Sequence, residues 1–160
     1  MIALTHLMRR IILPFLFLAY RIGNTSMLPT VSPGDLLLIK LKPQSINRGD
    51  VIIINPHGDQ RSHQIKRVIG MPRDEILIDK GSIIVNNHLL SEPYLKGRPR
   101  TEFSDNAKKW SLGKNYYLVM GDNRLVSTDS RTLGPISRQQ IIGKAIYRLW
   151  PLVRLRKICN

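Results

Sequence analysis

Closely spaced turn residues cut this chain into apolar runs too short for helices, and that punctuation restricts the fold more than any other feature. Pro33-Gly34-Asp35, Arg48-Gly49-Asp50, Pro56-His57-Gly58-Asp59, Asp79-Lys80-Gly81, Asn86-Asn87 and Gly121-Asp122-Asn123 are the dividers. Each joins residues that fix φ, tolerate positive φ or bond back to their own backbone. Between them, Asp35–Leu41, Val51–Ile54, Gln64–Ile69, Glu75–Ile78, Ser82–Val85, His88–Leu90 and Tyr116–Met120 are rich in Ile, Val, Leu and Tyr and read as short strands. Lys80-Gly81 and Asn86-Asn87 predict tight hairpins. Lys144–Trp150 reads as a closing strand ended by Pro151, after a capped single turn at Ser137–Ile141. Helix is expected only in that turn and in residues 1–20, so the fold class is mainly β.

At 160 residues the chain can bury a core as one domain. Ser91–Gly113, with Pro93, Gly97 and Pro99 among charges, reads as an excursion outside the central sheet. Cys159 has no second cysteine to pair with and no Cys or His at metal-ligand spacing, so no disulfide, metal or other cofactor is expected.

With 25 Lys and Arg against 11 Asp and Glu, the net charge is +14, which points to a polyanionic partner. No acid precedes Asp35 and none follows Arg138. Arg9, Arg10 and Arg21 flank the apolar run Ile11–Tyr20. Cations beside apolar residues favour an anionic membrane surface over a phosphate backbone. The run is shorter than the roughly 20 residues a helix needs to cross a bilayer. No small-x-small site follows it before Ser26, as a cleaved leader would require. A marginal anchor, an interfacial segment or a buried strand remains. A nucleic-acid-binding β domain is the reading from a different class. It would need aromatics interleaved with basic residues on strands. The 2 Trp, 5 Tyr and 3 Phe are too few for that, and Phe15, Phe17 and Tyr20 lie in the N-terminal run.

Three segments carry candidate chemistry. Ser26 lies in Gly23-Asn24-Thr25-Ser26-Met27-Leu28-Pro29-Thr30, and its hydroxyl needs a base within hydrogen-bond reach to act as a nucleophile. Lys66 lies in the expected strand Gln64–Ile69, with Val68 on its face and Ile65 and Ile69 on the other. Desolvation there would lower its pKa from about 10.4 and make it a base. Ser127, Asp129 and Arg131 alternate and would share one side of an extended stretch. Ser127 would hold Lys66, and Asp129 and Arg131 would pair behind it. Asp122 is expected to shape its turn. A Ser26-His63-Asp129 triad is compatible with sequence order, but nothing around His63 has the character of a triad segment.

Taken together, Ser26-Met27-Leu28-Pro29-Thr30, Lys66-Arg67-Val68-Ile69-Gly70-Met71-Pro72, Gly121–Arg131 and Gly143–Pro151 resemble the conserved boxes of the type I signal peptidases, peptidase S26. The likeness runs from about Ile22 to Pro151. It implies an antiparallel barrel-like β body with a smaller β extension at about 71–115. It also implies a catalytic domain at 23–160 and a separate membrane-association segment at 1–22. The implied reaction is cleavage of signal peptides from exported preproteins after small-x-small sites, by a monomer on the outer side of the bacterial cytoplasmic membrane. Ser26 would be the nucleophile and Lys66 the base. The family usually has Ser or Thr two residues before the nucleophile as second oxyanion donor. Here Asn24 stands there, with an amide able to donate. Arg73 occupies a turn where the family usually has Gly. The short apolar run in place of full spans suggests a soluble maturation peptidase of the same family as the alternative. A Ser-Lys self-cleaving repressor fits less well, because no helix-turn-helix and no Ala-Gly-like linker precede Ser26.

Overall fold

A computed structural model of the chain describes residues 16–58, 63–95, 97 and 107–158. Its strands are β1 (Phe17–Arg21), β2 (Leu36–Leu41), β3 (Val51–Ile54), β4 (Gln64–Gly70), β5 (Glu75–Asp79), β6 (Ser82–Val85), β7 (His88–Leu89), β8 (Lys108–Ser111), β9 (Tyr116–Met120), β10 (Ile136–Ser137), β11 (Ile141–Trp150) and β12 (Arg156–Lys157), with a short helix α1 (Ser130–Leu133). The mainly β expectation holds.

The larger sheet has the order β1-β2-β11-β3-β4-β9-β10, with β12 on β11, and every pairing is antiparallel. Register shifts along β11 at Ile141/Gly143, Ala145/Tyr147 and Arg148/Trp150, and on β4 at Val68/Gly70, bend these strands and curl the sheet into a half-barrel. Val51-Ile52-Ile53-Ile54 sits at its centre with both faces covered, which is why the run does not alternate in polarity. Val51 and Ile53 pack with Ile22, Met27, Val31 and Ile65. Ile52 and Ile54 pack with Val68, Tyr117, Val119 and Ile141.

The second sheet, β7-β6-β5-β8, is inserted between the neighbouring strands β4 and β9. Lys80-Gly81 and Asn86-Asn87 take positive φ at both turn positions, the geometry of the expected tight hairpins. Arg73 also has positive φ, at 71°, which accounts for glycine being the easier residue in that turn. Ile69 of β4 and Leu118 and Met120 of β9 pack against Ile76, Ile78, Ile83 and Val85, so one apolar cluster joins the extension to the body.

Two local expectations change and one gains detail. Phe17–Arg21 is a strand paired with β2, and Ile22 is core, so these residues belong to the body and not to a separate N-terminal segment. The rest of residues 1–22 lies outside the described residues. Lys108–Ser111 lies outside the central sheet, as expected of the excursion, and forms an edge strand of the smaller sheet, held by backbone bonds to β5 despite its exposed, charged pattern. Ser127–Arg131 is not extended: Asp129 caps α1 and accepts from the Arg131 N–H, an arrangement that suits an aspartate better than a strand position does. Among the described residues, no helix is long and apolar enough to cross a membrane.

Candidate active site

On β4, Lys66 stands opposite Ile52 of β3 and Arg67 opposite Val51, so the two cations project to opposite faces. Lys66 is 2% exposed. Its Nζ lies 3.5 Å from Ser26 Oγ, a long contact for a hydrogen bond. Among the described residues, no carboxylate lies within ion-pair distance of it. Burial lowers the amine; the charge of Asp129 pulls it back up and that of Arg131 pushes it down, which leaves its pKa at about 8.

Ser26 sits in a loop of turns between β1 and β2. The Ile22 N–H donates to Asp35 O and the Gly34 N–H to Ile22 O, closing the loop at its base. Met27 and Val31 fill the core beneath it. From above, the Asn123 N–H donates to Ser26 O at 2.9 Å, and Asn123 Nδ2 donates to Thr25 O. A Cβ on Gly121 would run into Ser127 Oγ and the Ser26 carbonyl oxygen, so this approach requires glycine.

Asn24 lies beside Ser26, but its oxygen faces it. Ser26 Oγ donates to Asn24 Oδ1 at 2.9 Å, and the Ser26 N–H reaches the same oxygen at 3.3 Å. A backbone N–H can only donate, so the orientation of the amide is fixed by its partner. The expected donor, Nδ2, is therefore turned away from Ser26 in this state.

Asp129 and Arg131 form a bidentate pair, Nε to Oδ1 at 2.9 Å and Nη2 to Oδ2 at 3.0 Å. Asp129 Oδ2 also accepts the Gly121 N–H. Burial acts to raise the Asp129 carboxyl, but Arg131, the Gly121 N–H and the Ser127 hydroxyl outweigh it and hold it below the usual carboxylate range. Ser127 Oγ is buried and makes no well-formed hydrogen bond, so the expected Lys66–Ser127 bond is absent from this state. His63 lies just before β4, three residues from Lys66, which along extended backbone is roughly 10 Å. Among the described residues, no three His, Cys, Asp or Glu side chains cluster to hold a metal ion.

A second polar network, mostly missed in the sequence, lies behind the first. Asp122, expected to support the site by shaping its turn, is buried and takes Arg67 Nε at 2.8 Å and Nη2 at 2.6 Å, together with the Thr30 hydroxyl at 2.5 Å. Arg67 Nη1 donates to Gly49 O, and its guanidinium lies 4.0 Å from the Tyr94 ring centroid. Arg124 pairs with Glu92 through both carboxylate oxygens, and the Tyr94 hydroxyl donates to Glu92 Oε1. The sequence carried one signal for this: acids are scarce. Asp35, Asp50, Asp74, Glu92, Asp122 and Asp129 are all paired with Arg or Lys side chains, and of the seven partners all are buried or half-buried except Arg154, a second partner of Asp35.

Comparison with known proteins adds a separate line of support. The sequence model of the family described as "Signal peptidase, peptidase S26" matches residues 1–150. Signal peptidase IB of Staphylococcus aureus is 32% identical over 163 residues, covering 91% of this chain and 84% of that protein. The probable signal peptidase I-2 of Synechocystis sp. is 32% identical over 142 residues, 84% of this chain and 63% of that protein. A crystal structure of a signal peptidase I from Enterococcus faecalis V583 superimposes with a TM-score of 0.54 at 25% identity, covering 63% of this chain and 97% of that one.

Proposed function

The chain belongs to the signal peptidase family, peptidase S26, as a serine endopeptidase of the signal peptidase I type, and on that premise we propose that Ser26 is its nucleophile and Lys66 its general base. One observation carries the assignment: a buried lysine with no acid at its head among the described residues, its pKa held at about 8, faces a serine hydroxyl across 3.5 Å. The neutral amine takes the Ser26 proton as Oγ attacks the scissile carbonyl. The resulting ammonium then protonates the departing amine, and the neutral amine activates water against the acyl-enzyme.

The oxyanion is received by the Ser26 N–H and the Asn24 side chain. A half-turn of the Asn24 amide exchanges Oδ1 for Nδ2 and frees Ser26 Oγ to donate to Lys66. Ser127 Oγ, buried and with no well-formed hydrogen bond, gives the ammonium an acceptor when it forms. Asp129, held by Arg131 and Gly121, fixes the wall behind the base.

The substrates we infer are signal peptides of exported preproteins with small-x-small sites, met at the outer side of the cytoplasmic membrane. Trp150, Leu152, Val153 and Leu155 are exposed among Arg154, Arg156 and Lys157, a mixture of apolar and cationic groups suited to an anionic lipid surface. The direct test is cleavage of a soluble peptide carrying an Ala-x-Ala site. The wild-type chain cleaves it, whereas Ser26→Ala and Lys66→Ala fold and fail to cleave. Substantial activity in Lys66→Ala would remove the lysine from the mechanism.

A further inference from the structure

The pair Glu92 and Tyr94 belongs to the β extension and has no part in the chemistry just described, yet it reaches two residues that adjoin the reacting pair. Tyr94 covers Arg67, the residue after Lys66. Glu92 holds Arg124, and Arg124 Nε in turn holds Gly121 O. Gly121 supplies an N–H to Asp129, and Asn123 supplies one to Ser26 O. Tyr94 Oη donates to Glu92 Oε1 at 2.5 Å, so a single phenol–carboxylate unit touches both arms. The Glu92 and Arg124 side chains are 2% and 0% exposed. Buried hydrogen-bonded ion pairs transmit position well, because breaking either partner leaves an uncompensated charge. The segment is seated by Leu95, which is buried and donates its N–H to Glu92 O.

We propose that Glu92 and Tyr94 are positioning residues that set the separation of Ser26 and Lys66 from the β extension, one arm through Arg67 on the base strand and the other through Arg124 on the Gly121–Asn123 turn. The proposal rests on the reading of Ser26 and Lys66 as the reacting pair. A contact of 3.5 Å must shorten for proton transfer, and an error of about 1 Å there costs up to about 100-fold in rate. Glu92 and Tyr94 thus act as a brace for the dyad without touching its reacting atoms.

The test measures kcat and KM on the Ala-x-Ala peptide, per folded molecule, well below each variant's melting temperature. Tyr94→Leu, which uncovers Arg67, lowers kcat about 10- to 100-fold with KM within about twofold of wild type. Glu92→Gln lowers both stability and kcat. Adding Arg124→Gln removes the cation that has lost its Glu92 carboxylate and recovers the stability but not kcat. If Tyr94→Leu does not fold, Tyr94→Phe decides: it keeps the ring on Arg67, loses the bond to Glu92 and lowers kcat several-fold at constant KM. Unchanged kcat per folded molecule in the Tyr94 variants, or full recovery of kcat in Glu92→Gln/Arg124→Gln, overturns the proposal. Absence of cleavage by the wild-type chain would instead overturn the functional reading beneath it.

Discussion

Lys66 and Arg67 are neighbours on one strand, 2% and 5% exposed, and they meet opposite surroundings. On one face of β4, Arg67 finds the Asp122 carboxylate, the Gly49 carbonyl, the Thr30 hydroxyl and the Tyr94 ring. On the other, Lys66 finds Ser26 Oγ at the limit of a hydrogen bond, with Asp129 acting on it only through its charge. Burial with partners makes a cation a structural strut, and burial without them makes a base. The strut and the proposed base are one residue apart, so the scaffold that fixes Arg67 also fixes where the amine of Lys66 can go.

The largest expected effect comes from breaking the partnered side. Asp122→Asn leaves Arg67 buried and unpaired, and should lower unfolding free energy by about 3–5 kcal/mol in chemical denaturation. A loss below about 1 kcal/mol would mean that Arg67 needs no carboxylate and that the contrast with Lys66 is false. Next, Asn24→Ala should reduce kcat by about 10²–10³ with little change in KM, and Asn24→Ser should restore much of it. Equal rates for Asn24→Ala and wild type would place the second oxyanion donor elsewhere.

On the unpartnered side the sign reverses. The unfolded Lys66 titrates near the ordinary lysine value of 10.5 and the folded one at about 8. Below about pH 8 both states are protonated, and the buried ammonium costs its full penalty. Between about 8 and 10.5 the unfolded chain binds more protons, so stability rises with pH. Lys66→Met should therefore gain about 3 kcal/mol on wild type at pH 7, an advantage that fades across that window. A pH-independent difference would contradict the lowered pKa. The smallest effect refines the electrostatics: Asp129→Asn removes the charge that raises Lys66 and should move the acid limb of kcat/KM to lower pH, while Arg131→Gln moves it up. Limbs that do not move would show that burial alone sets the base.

What was legible in the sequence was what depends on near neighbours. The alternation around Lys66, the Asn86-Asn87 hairpin and the Asp129–Arg131 pair each lie within a few residues, where local geometry decides. Asp122 and Arg67 are 55 residues apart, and Glu92 and Arg124 are 32 apart. Those partners are chosen by the insertion of the small sheet between β4 and β9, which no local pattern announces. β1 was obscured for a similar reason: its exposed apolar side resembles a membrane segment, and only pairing with β2 makes it a strand. Asn24 was legible as a neighbour of the nucleophile but not in its orientation, which rests on one backbone N–H.

In the proposed mechanism a lysine lowered by burial, with no carboxylate at its head among the described residues, does the work usually given to histidine. The pH dependence of kcat/KM on the soluble peptide tests it most directly, because that profile reports the base of the free enzyme. Activity should rise with pH through a single acid limb near 8, the value for Lys66, and His63→Ala should leave that limb in place. A limb near 6.5, the range of an imidazole, that disappears in His63→Ala would contradict the account and make His63 the base.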